Sequence, residues 1–215
     1  MELTIGPRLY STWSLRPWLV LKRAGAQFTT LDACYDTPEL KAALSRISPT
    51  GLVPLLTVDG ETLWDSLAIC EWAAETYPDA RLWPEDKIAR AYARSVTAEM
   101  HSGFAALRDQ CGFGVEHPQV GPSKAEVDVT PEVAANIRRL VEIWVQMRER
   151  FGQDGPWLFG AWSIADAFFT PVASRVRHYQ LDLAAHGDSD GTAAAYVSAL
   201  MSQPDFLEWE VAALT

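Results

Sequence analysis

The chain has 215 residues, of which 48% are hydrophobic and 21% charged, so it can bury a substantial core in one large domain or two small ones. Its net charge of -10 argues against nucleic acid or an anionic membrane surface as partner, because both require a basic face. The sequence has no apolar run of about 18 residues and no basic, apolar leader, so we expect a soluble, cytoplasmic protein.

The first part of the chain alternates strand and helix patterns. Residues 2–6 are predicted to form a strand, residues 15–25 a helix that ends at Gly25, and residues 27–31 a second strand. The apolar spacing of residues 39–47 then predicts another helix. This opening is typical of a β-α-β unit followed by a further helix.

A hairpin completes the predicted sheet. The apolar runs 55–58 and 62–64 are joined by Asp59-Gly60, a strong short-range hairpin signal. Ser66 opens a helix that ends near Tyr77. The order βαβαββα predicts an α/β domain with a mixed sheet over residues 1–80.

After residue 80 no convincing strand pattern remains. We predict a linker over residues 81–87 and an all-α domain over residues 88–215. Its predicted parts are a continuous helix over 88–111, a Gly/Pro-rich loop over 112–130, and helices over 131–151, from Ser163 with a kink at Pro171, over 192–202 and over 205–213.

Two features of the sequence favour structural roles. Ser163 and Asp166 have the spacing of a capping box, whose loss typically costs about 0.5–2 kcal/mol. The three cysteines, Cys34, Cys70 and Cys111, match neither a redox pair nor a zinc site, so we expect reduced, mostly buried thiols and no metal.

Hydroxyl residues stand at the junction of the first strand and the first helix. The stretch from Tyr10 to Trp18 contains Ser11, Thr12 and Ser14, and a helix N-terminus favours a bound anion or a thiolate. The alternative is that Ser14 and Pro17 are only helix start signals.

Two further motifs precede secondary structure elements of the same domain. Val53-Pro54 lies just before a predicted strand and is a candidate cis peptide, with backbone groups of Val53 free to pair with an extended ligand. Asp65 and Ser66 precede a helix and can hold an ammonium and a carboxylate, or simply cap the helix.

Together these motifs resemble those of the cytosolic glutathione transferases over nearly the whole chain. The matched pieces, in chain order, are residues 11–16, residues 49–54, Asp65-Ser66, and Gly160 with residues 163–166. The resemblance implies a thioredoxin-like N-terminal domain and a helical C-terminal domain. The first motif is similar to that of the serine-type bacterial and zeta-like branches, but departs from it at Thr12 and at Trp13, where zeta members carry cysteine.

The resemblance implies roles for individual residues. Ser11 is expected to donate a hydrogen bond to the glutathione sulfur, with Thr12 and Ser14 as alternates. Arg16 adds positive potential or orients the substrate. The expected glutathione-binding residues are Val53, Pro54, Asp65, Ser66 and, as a guess for the glycyl carboxylate, Lys41.

The second substrate is expected between the two domains, against the 88–111 helix and the following loop. The candidates are Met100, His101, Phe104 and Arg108, although the helical spacing of Met100 and Phe104 also fits the core. We expect a transferase that acts on a small electrophile, and a homodimer by resemblance. A maleylacetoacetate-type isomerase, a disulfide reductase and a non-catalytic binding module remain the alternatives.

Overall fold

The computed structural model describes residues 1–33, 37–113, 127 and 129–214. In its first half the predicted order βαβαββα is found. The elements are β1 (Glu2–Ile5), α1 (Thr12–Arg23), β2 (Thr29–Asp32), α2 (Pro38–Ile47), β3 (Leu55–Val58), β4 (Glu61–Leu63) and α3 (Ser66–Thr76).

The four strands form one mixed sheet in the order β2-β1-β3-β4. β1 runs parallel to β2 and antiparallel to β3, and β3 and β4 form the predicted hairpin. Asp59 and Gly60 both have positive φ, 52° and 87°, as a tight two-residue hairpin turn requires. β1 is an inner strand of the sheet, and its Leu3 and Ile5 are fully buried. Residues 6–11 connect this buried strand to the N-terminus of α1.

The described part of the second half contains helices joined by loops, with isolated β-bridges between Trp157 and Gly160 and between Phe159 and Ala161 as its only strand-like pairings. The helices are α4 (Lys87–Ser102), α5 (Ala105–Gln110), α6 (Pro131–Phe151), α7 (Ile164–His178), α8 (Thr192–Met201) and α9 (Pro204–Ala212), with short 3-10 turns at Pro78–Ala80 and Ala184–His186. α7 is buried over nearly its whole length and packs against α1, α4 and α8. It therefore joins the sheet-containing half to the helical bundle.

The predicted continuous helix over 88–111 is wrong, because the chain breaks between α4 and α5. Gly103 ends α4 in an extended conformation, and Phe104 adopts the left-handed region with φ 60° and ψ 36°. A Cβ atom at position 103 would lie 2.7 Å from the Glu99 carbonyl oxygen. The glycine therefore permits a turn that the apolar periodicity alone does not reveal.

The capping box at the start of α7 is present as predicted. Ser163 is the N-cap, and its N–H donates to the Asp166 carboxylate over 2.8 Å. The kink expected at Pro171 does not interrupt α7, which continues to His178.

Three further predictions concern the cysteines, the loop over residues 112–130 and the linker over residues 81–87. Cys70 and Cys111 are free and buried. Cys34 and most of the 112–130 loop lie outside the described residues, and the division of the chain at residues 81–87 stays a prediction. None of the described helices is both long and apolar enough to span a membrane.

Candidate active site

α1 begins at Thr12, three residues earlier than predicted, with Ser11 as its N-cap. The prediction that the helix starts at residue 15 is therefore wrong, and Ser14 lies inside the first turn. Ser11 makes no side-chain capping bond to a backbone N–H. Instead, its hydroxyl is hydrogen-bonded to the Ser14 hydroxyl over 2.7 Å. Helix capping thus does not account for either serine.

The two serines differ in what they face. Ser14 is fully buried, and its hydroxyl also accepts the Gly6 N–H over 3.1 Å. Ser11 is 8% exposed and lines a cavity, whereas Thr12 is similarly buried but is not among the described residues that line it. Of the three candidate hydroxyls, Ser11 is the one that faces open space.

The cavity beside Ser11, here called the Ser11 cavity, has a volume of about 360 Å³. Its described lining residues are Tyr10, Ser11, Trp13, Lys41, Leu44, Gly51, Leu52 and Val53. The structure therefore brings the predicted residues Ser11, Lys41 and Val53 to one cavity, although they come from three separate segments of the chain.

A second cavity of about 460 Å³, here called the Asp65 cavity, adjoins the first. It shares Trp13, Leu52 and Val53 with the Ser11 cavity. Its other described lining residues are Thr50, Pro54, Trp64, Asp65, Ser66 and His101. The Val53-Pro54 peptide bond is cis, as predicted, and lies where the two cavities meet.

Asp65 and Ser66 stand at the N-terminus of α3, at one side of the Asp65 cavity. Asp65 Oδ1 caps the helix by accepting the N–H groups of Leu67, over 2.9 Å, and Ala68, over 3.3 Å. Its Oδ2 lies 3.1 Å from His101 Nε2. The Ser66 hydroxyl is fully buried and has no partner in the described structure. An unpartnered buried hydroxyl at a cavity wall is available to a bound polar group.

The Trp13 ring lies between the two cavities and a group of arginine side chains. The Arg16 guanidinium lies over the Trp13 ring, with its Cζ atom 4.2 Å from the ring centroid, and over the Phe168 ring at 4.7 Å. Arg108 approaches the same Trp13 ring at 5.1 Å. All three of these guanidinium–ring distances are within the range of cation-π interactions.

These cations form an arginine cluster, defined as the buried Arg16 and Arg175 and the half-buried Arg108. Arg108 donates to the carbonyl oxygens of Met100 and of His101, the latter over 3.0 Å. Arg175 donates to the carbonyl oxygens of Cys111 and Pro171. In the described structure three buried nitrogen atoms of these side chains have no hydrogen-bond partner: Nε and Nη1 of Arg16 and Nε of Arg108. Within the part of the chain that is described, none of the three forms an ion pair with a carboxylate.

Burial and mutual repulsion weaken proton binding in this cluster. Burial, followed by the charges of Arg108 and Arg175, lowers the pKa of Arg16 to about 9. Burial likewise lowers the pKa of Arg175 to about 10, with Arg108 as the second cause. All three guanidinium groups remain cationic at neutral pH, so the cluster concentrates positive charge, with Asp65 near Arg16 and Asp109 near Arg108 as described carboxylates that attract it without forming an ion pair.

The predicted second-substrate residues separate into two pairs. Met100 and Phe104 are buried in the hydrophobic core, as their helical spacing allowed. His101 lines the Asp65 cavity, and Arg108 belongs to the arginine cluster. Arg175 and the cavity role of Leu52 were not predicted. An arginine among the apolar residues of α7 is the only sequence signal that points to Arg175.

Comparison with known proteins agrees with this architecture. Residues 10–76 match the family model described as the glutathione S-transferase N-terminal domain. This part of the chain is therefore similar to that N-terminal domain. Over 99% of this chain and 98% of the other, the fold also matches a bacterial zeta-class maleyl pyruvate isomerase, with a TM-score of 0.74 at 23% identity. A sphingomonad glutathione S-transferase in complex with glutathione matches with a TM-score of 0.70, also at 23% identity and with the same coverage.

Sequence relatives of this glutathione transferase-fold chain include two kinds of isomerase. It is 38% identical over 109 residues to a probable maleylacetoacetate isomerase of Caenorhabditis elegans, a match that covers 48% of this chain and 50% of the relative. It is 25% identical over 182 residues to a maleylpyruvate isomerase of a Ralstonia species, covering 82% and 85%. The chain spans about half the length of the first curated relatives that it matches.

Proposed function

We propose that this chain is a glutathione-dependent enzyme whose two adjoining cavities hold the tripeptide. The observation that carries the proposal is the distribution of polar groups along them, with Lys41 and Ser11 in one cavity and Asp65 and Ser66 in the other. Glutathione carries an ammonium group at one end and carboxylates at both ends. A lysine at one end and a carboxylate with a serine at the other are complementary to those charges.

Each proposed contact uses a group that the cavities expose. Lys41 is assigned to the glycyl carboxylate, and the backbone of Val53, beside Pro54, to the central cysteinyl residue. Asp65 is assigned to the ammonium group. The unpartnered Ser66 hydroxyl, at the positive N-terminus of α3, is assigned to the adjacent carboxylate.

The Ser11–Ser14 hydroxyl pair suits thiolate stabilisation. A free thiol has a pKa of about 8.5, so it needs a hydrogen-bond donor to ionise at neutral pH. Ser11 donates its hydroxyl proton to Ser14, whose oxygen also accepts the Gly6 N–H. The Ser11 hydroxyl can rotate and donate the same proton to a sulfur bound in the cavity instead. The α1 N-terminus and the buried Arg16 add positive potential at the same point.

Isomerisation is the reaction that the surroundings favour. Bound glutathione would supply a thiolate that adds to a conjugated cis-alkene, allows the carbon–carbon bond to rotate, and leaves without being consumed. The arginine cluster behind Trp13 provides positive charge that no carboxylate of the described residues ion-pairs, which suits a substrate that carries carboxylates. Relatives named maleylacetoacetate and maleylpyruvate isomerases support this class of substrate. These relatives favour an isomerase, although Trp13 stands at the position where zeta members carry cysteine.

Conjugation remains the second candidate function. The chain is 32% identical over 123 residues to the theta-1 glutathione S-transferase of mouse, a match covering 56% of this chain and 50% of the relative. A Ser11-bound thiolate serves conjugation and isomerisation equally, since both begin with attack on an electrophilic carbon. The homodimer expected by resemblance also stays a proposal. Exposed apolar side chains on both halves, including Leu52, Trp64 and Ile88, would be covered by such a partner.

Calorimetry followed by product analysis separates these functions. Glutathione should bind with a Kd below the millimolar range, and failure to bind at millimolar concentration would reject every glutathione-dependent role. The protein is then incubated with glutathione and maleylpyruvate. We expect the trans isomer to accumulate while free thiol stays constant. Loss of thiol with a chlorinated aromatic substrate would instead favour a transferase, and turnover of a glutathione mixed disulfide would favour a reductase.

Replacing Arg108 by methionine tests whether the arginine cluster binds substrate carboxylates. A lost charge-assisted hydrogen bond costs about 1.5–3 kcal/mol, so kcat/KM for an anionic cis-alkene should fall about 10- to 100-fold. The Kd for glutathione should change less than kcat/KM does, because Arg108 lines neither described cavity and acts on them only through its contacts with Trp13 and His101.

The controls for this test vary charge and location separately. Arg108→Lys keeps the charge and should recover part of the lost kcat/KM. Arg94→Met removes an arginine of α4 whose ion pair with Glu71 is largely exposed, and should leave kcat/KM unchanged. Equal losses with anionic and neutral electrophiles would assign Arg108 a structural role only.

A further inference from the structure

His101 contacts the proposed glutathione site from the helical half of the chain. It lies near the C-terminus of α4, and its Nε2 atom is 3.1 Å from Asp65 Oδ2, at the N-cap of α3. Its ring meets the Trp13 ring edge-on, with centroids 5.2 Å apart. Both histidine and aspartate line the Asp65 cavity. The pair therefore bridges the two halves of the chain inside the site itself.

The two oxygens of the Asp65 carboxylate have different partners. Oδ1 is held by the N–H groups of Leu67 and Ala68, so Oδ2 is the oxygen that remains for other partners. Oδ2 is also the oxygen that His101 contacts. A carboxylate oxygen can accept two hydrogen bonds, so a neutral His101 leaves room for a ligand ammonium group.

The other ring nitrogen of His101 disfavours a second proton. Nδ1 is buried and has no hydrogen-bond partner in the described structure. A proton on Nδ1 would therefore be a buried donor without an acceptor, whereas the tautomer with its proton on Nε2 is satisfied by Asp65.

The charged groups that face His101 act in opposite directions. Asp65 at the N-cap of α3 favours the imidazolium, whereas Arg16 from α1 and Arg108 from α5 oppose it, and α7 contributes the uncharged Phe168 ring. Desolvation is the largest effect, and it lowers the pKa of His101 below the usual value of 6.5. Near neutral pH the histidine is therefore mainly neutral, and it becomes charged only as the pH falls through this lowered pKa.

We propose that His101 is a positioning residue for glutathione: neutral, it orients Asp65 towards the ligand ammonium group, and protonated, it competes with that group for Oδ2. The inference rests on the proposed function, because it concerns the same site. A cation and an ammonium group at one carboxylate oxygen repel each other, so ligand binding must be coupled to loss of the His101 proton. The affinity for glutathione should consequently weaken in acid.

The experiment is calorimetric titration of the full chain with S-hexylglutathione, which has no thiol proton of its own. For the wild type, the Kd should rise about three- to tenfold between pH 7.5 and pH 5.0, as expected when protonation and binding are linked. His101→Gln keeps a side-chain donor without a titratable group. Its Kd should stay within about twofold over this range, and His186→Gln, at a half-buried histidine that lines neither cavity, should reproduce the wild-type profile.

A second measurement uses the wild type alone, in case the variant does not fold. Titration near pH 6 in two buffers with different ionisation enthalpies should reveal net proton release on binding. Equal pH profiles for the wild type and His101→Gln, or the absence of proton release, would overturn the role of His101 while leaving glutathione binding intact. No binding of the probe at any pH would overturn both this inference and the proposed function.

Discussion

Replacing Ser11 by alanine is expected to raise the pKa of the thiol of bound glutathione by about one to two units. A hydrogen bond to a charged group contributes about 1.5–3 kcal/mol, and one pKa unit corresponds to 1.36 kcal/mol. Only the thiolate attacks the substrate, so activity rises with pH through the pKa of the bound thiol, which Ser11 lowers. In the Ser11→Ala variant that rise should move to higher pH, and kcat/KM at pH 7 should fall about 10- to 100-fold.

The measurement is the ultraviolet absorbance of the bound thiolate as a function of pH, alongside kcat/KM. Ser11→Thr keeps the hydroxyl and should retain much of the activity. Ser14→Ala removes only the buried partner of Ser11, so its effect should be smaller. Thr12→Val should leave the titration unchanged, since Thr12 is not among the described lining residues. An unshifted titration in Ser11→Ala would show that another donor stabilises the thiolate.

Replacing Asp166 by alanine is expected to lower the free energy of unfolding by about 3–5 kcal/mol. The carboxylate is fully buried and accepts four hydrogen bonds: from the N–H and hydroxyl of Ser163, from the Leu158 N–H, and from the Tyr196 hydroxyl over 2.9 Å. Alanine would leave these donors buried without an acceptor. The loss exceeds the 0.5–2 kcal/mol expected of a helix cap alone.

The pH dependence of stability provides a further check on Asp166. Desolvation raises its pKa above the usual value, although its four donors partly oppose that rise. A raised pKa means that the folded state binds the proton more tightly than the unfolded state does. The Asp166 contribution to stability is therefore largest below the unfolded-state pKa, and it decreases as the pH rises through the folded-state pKa.

Urea unfolding followed by circular dichroism measures both effects. Asp166→Asn keeps one acceptor oxygen and should be less destabilising than Asp166→Ala, without the carboxylate's pH dependence. The exposed Asp190, which precedes the N-cap Gly191 of α8 and accepts the Thr192 N–H, is the matched control. Asp190→Ala should cost about 1 kcal/mol or less. A loss of that small size at Asp166 would mean that the four donors find other partners.

The order of elements was predictable because its signals are local. The Asp59-Gly60 turn, the apolar spacing of α2 and α6, and the capping box at Ser163 all depend on residues within a few positions of one another. The break between α4 and α5 was not predictable from periodicity. It depends on Gly103 lying too close to the preceding turn for any side chain, a contact that the apolar pattern does not encode.

The candidate site was predictable in part. The resemblance supplied Ser11, Val53, Asp65 and Ser66 as candidates, and the structure brings them to two adjoining cavities. It did not supply the partners that decide their chemistry. The Ser11–Ser14 pair depends on where α1 begins, and the Asp65–His101 pair joins residues from opposite halves of the chain.

The sequence by itself determined the secondary structure pattern, the acidic character of the chain and the residue types available to hold a tripeptide. Only the tertiary structure decided which of these groups face open space and which are buried. Ser11 and Ser14 are the same residue type three positions apart, yet one lines a cavity and the other is enclosed. Likewise, Arg16, Arg108 and Arg175 form one charged cluster because α1 packs against α7 and because Arg108, from α5, reaches the Trp13 ring beside Arg16. Burial and distance arise from packing between segments far apart in sequence, and they set the charge and hydrogen bonding of each group.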